Sequence, residues 1–167
     1  EWAIQAMASL SNLVHRRRYV VAVKSHAKVL LREGEAYRNG LKDQVRQLGL
    51  TGTVAFDSHY RSSDALGELV NSADIVLLPY DSTDQVTSGV LIEAVAALKP
   101  VIATRFPHAA EMLGGGAGLL VPHKNPVAIA AALGTLLTHR DLTAEMTQAA
   151  VVPAPELGWA AVAQRYH

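Results

Sequence analysis

Five short stretches that are apolar nearly throughout, rather than at every second position, constrain this chain most. They are Tyr19-Val20-Val21-Ala22-Val23, Thr53-Val54-Ala55-Phe56, Ile75-Val76-Leu77-Leu78, Pro100-Val101-Ile102-Ala103-Thr104 and Gly118-Leu119-Leu120-Val121. A strand with one wet face alternates polar and apolar residues, whereas a strand covered on both faces does not. These runs therefore predict buried strands of a parallel sheet.

Helical patterns separate them. Trp2, Ile4, Met7, Leu10 and Val14 recur at helical spacing over about residues 1–14. Tyr37, Leu41, Val45 and Leu48 share one face of a second helix, which Gly49 ends. A short helix over Ala65 to Asn71 has Ser62, Ser63 and Asp64 as cap candidates. A further helix starts at Thr87 or Ser88 and runs to about Leu98, and a short one covers Ala109 to Leu113. Asn125-Pro126 opens a helix to about Leu137, by the rule that a capping residue precedes a proline in the first turn. One or two helices follow, interrupted by Val152-Pro153-Ala154-Pro155. Strands alternating with helices predict a doubly wound α/β fold with a parallel sheet, Rossmann-like, whose ligands sit beyond the carboxyl ends of the strands. The loops after Val23, Phe56, Pro79 and Thr104 are thus the places to look for chemistry.

Composition narrows the function classes. Lysine plus arginine number 15, equal to aspartate plus glutamate, so the surplus of positive charge that nucleic-acid binding requires is missing. His15-Arg16-Arg17-Arg18 is a local basic cluster and reads as a solvated loop. Cysteine is absent, which excludes disulfides and thiolate chemistry. No apolar stretch approaches the ~20 residues a membrane span requires, and no signal peptide is visible, so a cytoplasmic protein is expected. The histidines at 15, 59, 108, 123, 139 and 167 show no metal-ligand spacing, and Gly114-Gly115-Gly116 follows a helix rather than a strand and reads as a turn. Glu1 falls directly inside a helical pattern without a cap, so the chain is expected to begin partway through a structural unit.

The most informative stretch is Leu78-Pro79-Tyr80-Asp81-Ser82-Thr83-Asp84-Gln85-Val86-Thr87-Ser88-Gly89-Val90-Leu91-Ile92-Glu93-Ala94. A strand ends, a polar loop follows, and a helix starts with glycine in its first turn. Free N–H groups of that turn, with the helix dipole, favour an anion, and Gly89 puts no Cβ in its way. Glu93, four residues on, shares that face and leans toward the helix start. Two readings stand open for it. Its carboxylate can accept hydrogen bonds from both ribose hydroxyls, or it merely complements the helix dipole, worth about 0.3–1 kcal/mol.

The run Asp84 to Ala94, followed by Pro100-Val101-Ile102-Ala103-Thr104, resembles the C-terminal domain of retaining glycosyltransferases of the family 4 (group 1) type, which have the two-Rossmann-domain GT-B architecture. Gly34-Glu35-Ala36-Tyr37-Arg38, Phe106-Pro107-His108-Ala109-Ala110-Glu111 and Gly116-Ala117-Gly118-Leu119-Leu120-Val121-Pro122 match in order and spacing. The similarity spans residues 1–150, expected to form the nucleotide-sugar-binding domain, with 151–167 as a tail helix. It implies a nucleoside diphosphate sugar donor, no metal and no other cofactor. It also implies an acceptor-binding N-terminal domain outside this chain, through which peripheral contact with the inner face of a membrane stays open.

Residue by residue, the resemblance makes Glu93 the ribose ligand and Ser88, Gly89, Val90 and Leu91 the amides that hold the diphosphate. Gln85 falls where relatives carry the first of two glutamates, so it is placed on the donor sugar without the negative charge. Glu93 and Gln85 are the candidate catalytic residues. Tyr60, in the loop after Phe56, falls where the base is held, though a packing role for it stands beside that one.

Four departures stand out. Gln85 replaces a glutamate. Relatives have an upstream strand and glycine-rich loop, so the sheet is expected to lack its first central strand, between those at Tyr19 and Ile75. Val23 replaces a glycine three residues before a retained His26. Leu98 replaces a glycine at a helix end, a cost of about 1–2 kcal/mol if the backbone there is left-handed. The expected function is retaining glycosyl transfer, with this chain inactive by itself. The alternatives are a noncatalytic sugar-nucleotide-binding module or decayed homologue, and an epimerase of similar architecture.

Overall fold

The structure, a computed structural model, describes residues 1–10, 13, 18–22, 36–57 and 62–151. Val23, His26, Tyr60, the basic residues 15–17 and the tail from residue 152 lie outside the described residues. The chain divides into two compact units, Glu1–Arg61 and Ser62–His167.

The first unit contains α1 (Trp2–Ser9), β1 (Tyr19–Ala22), α2 (Ala36–Gln47) and β2 (Val54–Asp57). Strands β1 and β2 pair in parallel, with Tyr19 opposite Val54 and Ala22 opposite Asp57. Ala3, Ile4, Ala6 and Met7 are buried on α1. On α2 the buried residues are Val45 and Arg38, while Tyr37 and Leu48 of the expected apolar face are exposed. Helix α1 is capped at Leu10 and is shorter than the 1–14 expected from its periodicity. The Arg38 guanidinium sits 6.0 Å from the centre of the Phe56 ring, which gives it a packing role inside this unit. Burial pushes the Tyr19 phenol up to about 12, and nearby Tyr37 adds to the rise.

The second unit runs α3 (Ser63–Ser72), β3 (Val76–Leu78), α4 (Gly89–Ala96), β4 (Val101–Thr104), α5 (Pro107–Leu113), β5 (Gly118–Val121), α6 (Pro126–Thr138) and α7 (Arg140–Val151). Its strands form a parallel sheet in the order β3-β4-β5, with Val76 opposite Val101 and Val101 opposite Gly118. All four residues of β4 are buried. Val101 and Ala103 join one cluster with Leu91, Ala94 and Val95 of α4 and Ala109 and Leu113 of α5. Ile102 points the other way by the alternation of a strand and is also fully buried. Helix α6 packs on β4 and β5 and buries Ile129, Leu133 and Leu136. Both faces are covered, which is why the sequence shows unbroken apolar runs. A Cβ at Gly118 would lie 2.7 Å from the Val101 carbonyl oxygen, so only glycine lets β5 approach β4 there. Among the described residues, no helix is long and apolar enough to cross a membrane.

Two helix ends use one backbone motif with different residues. After α2, the N–H groups of Gly49 and Leu50 donate to the carbonyls of Arg46 and Val45, with Gly49 at φ +68°. After α4, Leu98 and Lys99 donate to Val95 and Ala94 in the same pattern, with Leu98 at φ +56°. The backbone at Leu98 is therefore left-handed, without the residue that adopts that conformation most readily.

Candidate functional site

Strands β3 and β4 are parallel neighbours, so the segments leaving their carboxyl ends emerge side by side. The segment after β3 is the polar loop Pro79 to Ser88, and the segment after β4 is Arg105-Phe106-Pro107, leading into α5. The second holds the first. Thr104 Oγ1 donates to the Tyr80 carbonyl at 2.7 Å and lies 3.4 Å from that of Leu78. The Tyr80 ring stacks on Phe106, with centroids 5.2 Å apart. Its hydroxyl lies 3.3 Å from Ser88 Oγ.

Ser88 is the N-cap of α4, with extended backbone, and its Oγ accepts from the Leu91 N–H at 3.3 Å. Its own N–H donates to Nδ1 of His108 at 2.9 Å, and the backbone N–H of His108 donates to the Gln85 carbonyl at 3.4 Å. A histidine that accepts through Nδ1 carries its proton on Nε2 and is uncharged.

Of the four amides from Ser88 to Leu91, the first and last are thus already engaged within the protein. Those of Gly89 and Val90 have no acceptor among the described residues. Gly89 is exposed, and a Cβ built on it meets nothing within 4 Å, so the space in front of these amides is open. Glu93, one turn later, is half-buried, and its carboxylate has no hydrogen-bond or ion-pair partner among the described residues. The arrangement is a pair of adjacent open N–H groups at the positive end of a helix with an unengaged carboxylate on the same face.

Gln85 lies in the same loop, half-buried, and its Nε2 donates to the Thr87 carbonyl at 3.1 Å. Its side chain is tied to the loop that carries it. Asp84 accepts from Thr83 Oγ1 at 3.1 Å. Asp81 forms an exposed ion pair with Lys124 at 3.4 Å, worth about 0–1 kcal/mol at such exposure. No group of three or more His, Cys, Asp or Glu able to hold a metal ion occurs among the described residues.

The loop, the helix start at Thr87 or Ser88 and Gly89 were read from the sequence; the capping bond of Ser88 was not. Nor was the bracing by Thr104, Phe106 and His108. The usable signal was Pro107, which starts a helix after β4 and sets His108 in its first turn, beside the loop of the adjacent strand.

The model of the family described as Glycosyl transferases group 1 matches residues 1–139. The chain belongs to this family. Among its relatives, this group 1 glycosyltransferase chain is 33% identical over 120 residues to a D-inositol 3-phosphate glycosyltransferase of Corynebacterium urealyticum, covering 71% of this chain and 28% of the relative. It is 35% identical over 126 residues to the D-inositol 3-phosphate glycosyltransferase of Corynebacterium jeikeium, covering 74% and 29%. The chain therefore spans less than a third of the length of these two relatives.

Among solved structures, it is similar to Anabaena HepE in complex with UDP and glucose, with a TM-score of 0.80, 19% identity, and coverage of 99% of this chain and 42% of that one. It is also similar to the C-terminal domain of the group 1 glycosyl transferase LpcC from Francisella tularensis, with a TM-score of 0.73, 22% identity, and coverage of 98% and 76%. The fold of the chain is the Rossmann-like C-terminal half of GT-B glycosyltransferases.

Proposed function

We propose that this chain binds the nucleoside diphosphate part of a sugar donor at the start of α4, and that the protein carrying it transfers the sugar with retention. The observation that carries this reading is the pair of open amides at Gly89 and Val90, with the unengaged Glu93 carboxylate one turn on. In this reading the two amides hold a phosphoryl group and offset the charge that grows on the leaving diphosphate. Glu93 accepts from the ribose hydroxyls, and Gln85 faces the donor sugar after exchanging its bond to Thr87. No metal is required, and the acceptor is bound by residues outside this chain.

The test is calorimetric titration of the full-length protein with UDP-, GDP- and ADP-sugars, with and without Glu93→Ala. Loss of two hydrogen bonds to a carboxylate, at about 1.5–3 kcal/mol each, should weaken the preferred donor by about 100-fold or more. Equal affinity in the variant removes Glu93 from the site.

One observation favours a second reading, a module that binds the sugar nucleotide without turning it over. Gln85 cannot supply a negative charge, and its amide is occupied by Thr87. Donor binding with no transfer or hydrolysis in the full-length protein, together with a gain of turnover in Gln85→Glu, would select that reading.

A further inference from the structure

We propose that His108 is the positioning residue of the donor loop: a neutral imidazole that fixes the Thr87–Ser88 peptide so that the Gly89 and Val90 amides are left as the anion donors. This rests on the reading of the α4 start as a diphosphate site.

Residue 108 grips the loop at two points. Its N–H binds the Gln85 carbonyl at 3.4 Å, and its Nδ1 takes the Ser88 N–H at 2.9 Å. The loop is therefore pinned three residues apart, immediately ahead of the two open amides. Ser88 is almost wholly buried, so without His108 its N–H would be left with no partner and no water. The peptide would then have to turn to find one, and the amides that follow would turn with it. Ser88 Oγ closes the other side by accepting from Leu91. Two adjacent open amides suit a single phosphoryl group, and in the absence of His108 that selection is lost. A bond received at Nδ1 exists only in the uncharged ring with its proton on Nε2.

Three variants separate positioning from simple packing. Asparagine sets a carbonyl oxygen two bonds from Cβ, where Nδ1 stands in histidine, and glutamine carries its oxygen one bond too far. In the full-length protein, His108→Ala and His108→Gln should weaken the preferred sugar nucleotide about tenfold, the effect of one hydrogen bond, and His108→Asn should stay within about twofold of wild type. Alanine binding as well as wild type, or asparagine binding no better than alanine, overturns the proposal.

Two measurements need no ligand. The 15N shifts of the imidazole should show Nδ1 unprotonated, and the Ser88 amide should exchange slowly in wild type and His108→Asn but quickly in His108→Ala. A protonated Nδ1, or equal exchange in all three, overturns it equally. If wild type binds no sugar nucleotide, the functional reading fails, and these two measurements still decide the role of His108.

Discussion

Helices α4 and α6 both begin at the carboxyl end of a parallel strand, and both are capped by a polar side chain that accepts from the third helical amide. Ser88 takes the Leu91 N–H at 3.3 Å, and Asn125 takes the Ala128 N–H at 2.9 Å. The first helical residue separates them. In α6 it is Pro126, which has no N–H, followed by Val127, a 75% exposed apolar side chain. In α4 it is Gly89, with an open N–H and nothing in front of it. Helix α6 starts with its first donor removed and its third capped, which leaves the Val127 N–H as the one donor of its first turn without an acceptor among the described residues. Helix α4 starts with two donors unused, a loop braced from the adjacent strand, and a carboxylate in reserve. A helix dipole is common to both ends, so the dipole does not make a site by itself. The donors left over do.

The sharpest way to break this contrast is to give α4 the first residue of α6. Ser88 already has φ −136° and ψ 109°, the extended conformation that a following proline demands. A side chain at Gly89 meets nothing within 4 Å, and proline is tolerated at the first helical position. Gly89→Pro should therefore leave the melting temperature nearly unchanged and remove one charge-assisted hydrogen bond. Affinity for the sugar nucleotide should fall by about 1.5–3 kcal/mol in titration calorimetry. Unchanged affinity would show that the Gly89 amide does not meet the phosphate.

A second experiment compares the caps. Ser88→Ala and Asn125→Ala should each cost about 1 kcal/mol in urea unfolding, because each removes one capping acceptor. With saturating sugar nucleotide the gap between them should open. Only the Ser88 variant frays the amides that bind, so only it should lose ligand-induced stabilisation. Equal stabilisation of both variants would leave α4 no different from α6.

The smallest effect concerns the far end of α4, compared with the same motif after α2. Leu98 packs against the core, so its truncation loses burial whatever replaces it. The informative quantity is the difference between two truncations. Leu98→Gly should be about 1 kcal/mol more stable than Leu98→Ala, since only alanine keeps the left-handed strain. Gly49→Ala should cost a similar amount. Nucleotide affinity should not change in any of the three, and a change would tie that end of the helix to the ligand.

The sequence revealed the elements because their determinants are local or periodic. Unbroken apolar runs marked β3, β4 and β5, the Asn125-Pro126 pair marked the start of α6, and Ser88-Gly89 marked that of α4. The departure at Leu98 was visible only through the resemblance, in which relatives end that helix with glycine. What escaped was the support of the loop. Thr104, Phe106 and His108 stand 16 or more residues beyond Ser88 in the chain, and they meet the loop only because β4 lies beside β3. No periodicity encodes that meeting. Equally illegible was the occupancy of each amide: four looked available, and two are already engaged.

The bracing of the loop from outside has a consequence for design. Thr104, Phe106 and His108 hold its path at Tyr80, Gln85 and Ser88, so the exposed positions from Asp81 to Asp84, joined by the Asp81–Lys124 pair and by bonds of Asp84 to Ser82 and Thr83, lie between fixed ends. They form a display mounted on a fixed frame. A library that randomises them, leaving the frame untouched, would vary what the loop presents to an incoming sugar while its course through space stays the same.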